Sequence, residues 1–164
     1  MRSPHLLNLG NARKVKENLS GVLDTIALDK VEAEIVANVI ALFTLGRYHQ
    51  RFALRQSPWH WRQRVSRLYY VAYNVSRSVR LFIAGEYSTE VKDHQKYENL
   101  PDDFPSKARY VNQLGILRED RNTCDYDHLS RASDLALGST EATKLVNDFI
   151  NDARIYLRGK GLNV

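Results

Sequence analysis

The stretch WRQRVSRLYYVAYNVSRSVRLFI, residues 61–83, decides the fold. Val65, Leu68, Tyr69, Ala72, Val75, Val79 and Phe82 recur at three- and four-residue spacing, which is one face of an α-helix. Ser57 and Pro58 supply its start, a cap followed by a residue suited to the first turn. Gly85 is a natural stop. Upstream, Val31, Ile35, Val36, Val39, Leu42, Phe43 and Gly46 repeat the same period. Asp29 is the expected N-cap there, with Glu32 completing a capping-box-like pattern. Arg47, Arg51 and Arg55 extend that helix at i, i+4 and i+8, in one row.

The helical period continues outward in both directions. Leu19, Val22, Leu23 and Ile26 share a face, with Gly10 and Gly21 interrupting, so residues 1–28 read as an N-terminal helical extension. Residues 86–105 are polar and broken by Pro101 and Pro105, a loop with at most a short helix around His94–Leu100. Ser106 is the expected cap of a helix over 106–123 carrying Ala108, Val111, Leu114, Gly115 and Leu117. Residues 124–138 carry no decisive period, and Gly138 ends them. Ser139 is the expected cap of a last helix that buries Leu145, Val146, Phe149, Ile150, Ala153 and Leu157. No β-branched run of period two competes. The fold class is therefore all-α: one domain over 1–164, a four- to five-helix up-and-down bundle.

Composition narrows the function classes. One cysteine, Cys124, excludes an internal disulfide and a cysteine-rich metal site, and it reads as a structural thiol. A reducing cytoplasm is the expected compartment. No apolar run reaches the roughly 18–20 residues of a membrane span, and no signal-like start is present, so no membrane is expected. The net charge of +5 is unevenly spread. Between Glu34 and Glu86 there is no acid, only Arg47, Arg51, Arg55, Arg62, Arg64, Arg67, Arg77 and Arg80. Such a block suits a polyanion partner, unless the acidic last third of the chain neutralises it.

The motifs exclude several chemistries. Glycine-rich phosphate loops, a nucleophile elbow and a His-Glu-x-x-His pattern are all absent. The five histidines are scattered, so no metal and no cofactor is called for. The sharpest constellation is Leu117-Arg118-Glu119-Asp120-Arg121-Asn122-Thr123-Cys124-Asp125-Tyr126-Asp127-His128. If the helix continues, Arg121 and His128 lie two turns apart within about 20° on one face. Such a pair can do phosphodiester chemistry, the histidine shuttling protons and the arginine holding developing charge. The RNA 2′-OH would be the nucleophile. The alternative for the same residues is a solvated helix face.

Residues 61–128 resemble the HEPN family of small helical domains, with a looser likeness over about 30–160. The likeness rests on the helix Arg67 to Arg80, on His94 in the loop that follows, and on Leu117-Arg118 through Arg121-Asn122 to Asp125-Tyr126-Asp127. It implies a homodimer with the signature facing a cleft, and metal-independent RNA cleavage leaving a 2′,3′-cyclic phosphate. Arg121 would clamp phosphate, His128 would be general base or acid, and Asn122 would orient the phosphate or the histidine. It also implies a place in a toxin–antitoxin or phage-defence pair, with a nucleotidyltransferase-type partner as antitoxin. Ser130 stands where many toxin-type members have tyrosine. The Arg-x-x-x-Asp-Tyr form is also common in members that lack the histidine and bind rather than cut; there Asp125 and Tyr126 support the helix end. Arg47, Arg51, Arg64 and Arg67 are the expected RNA-phosphate contacts. Trp59, His60 and Trp61 are stacking candidates, although a tryptophan at a helix start also serves as a core anchor.

Overall fold

The computed structural model describes residues 10–87 and 99–164. His5, His94 and most of the short helix expected near His94–Leu100 lie outside the described residues. Five α-helices are present among those described: α1 (Ala12–Asn18), α2 (Thr25–Arg55), α3 (Trp61–Ala84), α4 (Lys107–Tyr126) and α5 (Gly138–Gly159). The only β-pairing described is an isolated bridge between Asn11 and Glu86. The chain is an all-α bundle, as its apolar period requires.

The central helix α3 packs on α2, α4 and α5. Val65, Leu68, Tyr69, Ala72, Val75 and Val79 are buried, and Phe82 is half-buried against the core. Their partners run in opposite directions along α2: Arg67 lies over Phe52, Gly46 abuts Val75, and the Ser78 hydroxyl donates to the Val39 carbonyl at 3.0 Å. Helices α4 and α5 are also antiparallel, with Arg109 bound to Asp148 near one end and Asp120 bound to the backbone of Ala136 and Leu137 near the other. The topology of α2 to α5 is thus up-and-down.

Two glycines set close approaches. A Cβ on Gly46 would lie 2.9 Å from Val75 Cγ2 and 3.2 Å from the Val71 carbonyl, so the α2–α3 spacing depends on its absence. Gly85 ends α3 at φ 69°, in the left-handed region open to glycine, and a Cβ there would strike the Arg13 backbone nitrogen. The segment that crosses it is held by the Ala12 amide donating to the Gly85 carbonyl at 2.9 Å. Helix α1 is then tied to α2 by Arg13 and Lys16, both paired with Glu32. Burial opposes ionisation of Glu32, but these two cations outweigh it and hold its carboxyl below the usual range.

Several expected boundaries move. Asp24, not Asp29, caps α2, its carboxylate accepting from the Ala27 amide at 2.7 Å. Ser57 caps the short 3-10 turn Pro58–His60, from which α3 follows directly. Ser106 stands at φ 54° and its side chain makes no cap, and α4 runs on to Tyr126 instead of stopping at 123. Helix α5 starts at Gly138, one residue before Ser139. Its entry is held from a distance: the buried Asp120 carboxylate accepts from the Ala136 and Leu137 amides at 2.8 and 2.9 Å. A carboxylate at a helix N-terminus is favoured by the helix dipole and satisfies amides that have no helical acceptor. No helix among the described residues is long and apolar enough to cross a membrane.

Candidate functional site

Arg121 projects from the last turns of α4 toward α3, where both Nη atoms donate hydrogen bonds and Nε lies in an ion pair without hydrogen-bond geometry. Nη2 donates to the Tyr70 hydroxyl at 2.8 Å, and Nη1 donates to the Tyr126 hydroxyl at 3.3 Å and to Asn122 Oδ1 at 3.2 Å. Nε ion-pairs with Asp125 Oδ2 at 2.8 Å, an i, i+4 pair on the same helix. The rings of Tyr69, Tyr70 and Tyr126 surround the cation, their centroids 5.8, 5.5 and 5.2 Å from Cζ. Its side chain is 16% exposed. Burial opposes its charge, but Tyr126, Tyr70 and Asp125 together raise its pKa above the ordinary arginine value.

The remaining signature residues sit around this pair. Asn122 donates to Glu119 Oε2 at 3.3 Å as well as accepting from Arg121. Asp125 also accepts from the Ser66 hydroxyl at 3.4 Å. Tyr126 is 73% exposed, so it covers Arg121 as a lid whose outer face meets solvent. Burial, with Asp125 nearby, pushes the Cys124 thiol up to about 12, consistent with a structural and unreactive side chain.

The helix ends before His128. Asp127 leaves the helix in an extended conformation, φ −98° and ψ 101°, and His128 lies exposed in the turn beyond it. The two-turn alignment of Arg121 with His128 required a continuous helix, and that condition is not met. His128 is not among the hydrogen-bond or ion-pair partners of Arg121.

The turn is fixed by a residue that the motif did not indicate. Arg62, in the first turn of α3, donates through Nη1 to the carbonyls of Thr123, Cys124 and Asp127, and through Nη2 to the carbonyl and hydroxyl of Ser130. It thereby serves the Cys124 carbonyl, which the end of α4 leaves without a helical donor, and the Asp127 and Ser130 carbonyls of the turn beyond. Its guanidinium stacks 4.5 Å over Trp61, which is half-buried against the core, while Trp59 is 89% exposed.

The four arginines expected to hold RNA divide between two places. Arg67 lies over Phe52, 5.3 Å from the ring, and both line a groove of about 360 Å³ with Ser66 and Asp125, beside the Arg121 cluster. His49, on the same side of α2, packs its ring 5.7 Å from Tyr70. Burial first, then the charge of Arg67, lowers its pKa. Arg64 points instead to α5, where Nη2 donates to the Thr143 hydroxyl at 3.2 Å. Arg47 and Arg51 stand at the level where Gln50 of α2 donates to Asn147 of α5, at 2.6 Å. Sequence alone did not indicate Tyr70, Asp120 or Arg62, because the partner of each is distant along the chain. The tyrosines among apolar neighbours on α3 were the one available hint.

The chain matches no family model, no curated protein and no solved structure.

Proposed function

We propose that this chain is a non-catalytic, HEPN-like helical module that binds a nucleotide or protein and works with a nucleotidyltransferase-type partner. The observation that carries this reading is the engagement of Arg121 by Tyr70, Asn122, Tyr126 and Asp125 on a helix that ends two residues before His128. A ribonuclease phosphate clamp needs donors available to the scissile phosphate. Here those donors hold the junction of α3 and α4 together, and Asp125 supplies the counter-charge that a phosphate would otherwise supply. The exposed apolar rim around the cluster, Phe52, Tyr126 and Leu129, supports self-association, so a homodimer belongs to the proposal.

The test is incubation of the purified chain with labelled RNA in EDTA. The expected result is intact RNA. Cleavage that leaves a 2′,3′-cyclic phosphate and disappears in both His128→Ala and Arg121→Ala would replace this proposal with the endoribonuclease reading. Light scattering over a concentration series measures the dimer.

A further inference from the structure

The flank of α2 that faces α5 carries a second set of arginines. Arg47 and Arg51 lie one turn apart on α2, and an exposed hydrogen bond from Gln50 to Asn147 of α5 lies beside them. Arg154 comes from α5, two turns beyond Asn147, and Arg64 stands at the other end beside Thr143. We propose that this α2–α5 seam is a binding site for an oligophosphate, held by Arg47, Arg51 and Arg154 with Arg64 at its end. The inference rests on the binding-module reading above and names the ligand chemistry for it.

Four observations support it. First, the seam has no counter-charge. Arg47, Arg51, Arg64 and Arg154 pair with no carboxylate among the described residues. The acids of α5 turn the other way, Asp148 to Arg109 at 3.1 Å and Asp152 to the Tyr110 hydroxyl at 2.5 Å. Thr143, Asn147, Asn151 and Arg154 recur at i, i+4, i+8 and i+11, one helical face that is neutral or basic throughout. The acidic last third of the chain therefore does not neutralise these arginines.

Second, donors are left unused. Among the described residues the guanidiniums of Arg47, Arg51 and Arg154 donate to no acceptor, and Arg64 donates only to Thr143. Guanidinium donors are ordinarily satisfied, so their unused Nη groups can serve an acceptor from outside. Third, the guanidiniums repel one another. Burial and the charges of Arg154 and Arg51 hold Arg47 below its ordinary pKa. Fourth, the helix dipole does not account for the row. Its benefit to cations is confined to the last turn, where α2 has Arg55 alone.

The chemistry selects phosphate. Guanidinium forks match the paired oxygens of phosphate, and several converging cations need several negative charges in a short span. A single carboxylate would neutralise only one. Adjacent phosphates occur in a nucleotide polyphosphate and in a polynucleotide backbone, and both present the same acceptors.

Thermal melts of the full chain at low salt, with inorganic pyrophosphate, ATP or a short single-stranded oligonucleotide, separate the outcomes. The expected result is a rise in Tm with at least one of them that fades as salt increases. Affinity by calorimetry should fall about 10-fold in Arg51→Gln and in Arg154→Gln, and stay unchanged in Lys30→Gln. Without ligand, Arg154→Gln should melt at or above the temperature of the unmodified chain, because a repulsive contact is removed. Tighter binding of ATP assigns the site to nucleotides, and tighter binding of the oligonucleotide assigns it to a backbone; either supports the proposal. No shift with any ligand, a ligand-induced shift in Arg51→Gln and Arg154→Gln as large as in the unmodified chain, or a lower ligand-free Tm in Arg154→Gln overturns it. RNA cleavage at His128 alongside phosphate binding here would overturn only the non-catalytic reading.

Discussion

The two flanks of α2 treat arginine in opposite ways. On one flank, Arg121 of α4 is enclosed by three tyrosine rings and paired with Asp125. On the other, Arg47, Arg51 and Arg154 face one another with two neutral amides between the helices. A guanidinium whose charge and donors are met inside the chain is part of the scaffold. One beside other guanidiniums adds repulsion to the fold and has its donors to offer elsewhere. The signature residue Arg121 is bound within the chain, whereas Arg47 and Arg51, which the sequence already marks as a basic row, find no acceptor among the described residues.

Mutation can break this contrast at several points. The largest effect is expected for Arg121→Leu, which leaves Asp125 and Tyr70 without their cation at the α3–α4 junction; a loss of ~3 kcal/mol in urea unfolding is expected. A loss near zero would mean that the cluster is not structural. Arg62→Ala should cost ~2 kcal/mol by the same measurement, because the carbonyls at the end of α4 lose a charged donor. The seam should respond with the opposite sign: Arg154→Gln is expected to gain ~0.5 kcal/mol in ligand-free buffer, and a comparable loss would erase the contrast. The smallest effect belongs to His49, which borders both Tyr70 and Arg67. Burial and the nearby charge of Arg67 hold its folded pKa below that of a free histidine, so the unfolded chain takes up the proton first. Its share of stability is complete above about pH 6.5 and is lost as the pH falls below that toward the folded pKa. His49→Gln should flatten the stability curve there, measured by urea midpoints across the pH range.

The sequence made the helices readable because a buried stripe must repeat with the helical period, and Val65 to Phe82 does so without interruption. Helix ends were less readable, since they depend on which polar side chain wins the first free amides. Asp24 and Asp29 both have capping chemistry, and only the structure shows that Asp24 meets the Ala27 amide. Ser106 and Ser139 have the right chemistry too, but the backbone at Ser106 is left-handed and the turn before α5 is served by Asp120. Within the candidate site, Arg121–Asp125 was legible as an i, i+4 pair. Tyr70, 51 residues away, was not. The pairing of Arg121 with His128 assumed that α4 continues, and nothing local in residues 124–130 announces the halt that Arg62 secures from another helix.

That long-range grip changes how the end of α4 behaves mechanically. Residues 127–130 follow α4 in sequence, yet the carbonyls of Asp127 and Ser130 hang from the first turn of α3. The exposed His128–Leu129 tip is therefore tethered at both of its shoulders, Asp127 and Ser130, to a helix that begins more than sixty residues earlier in the chain.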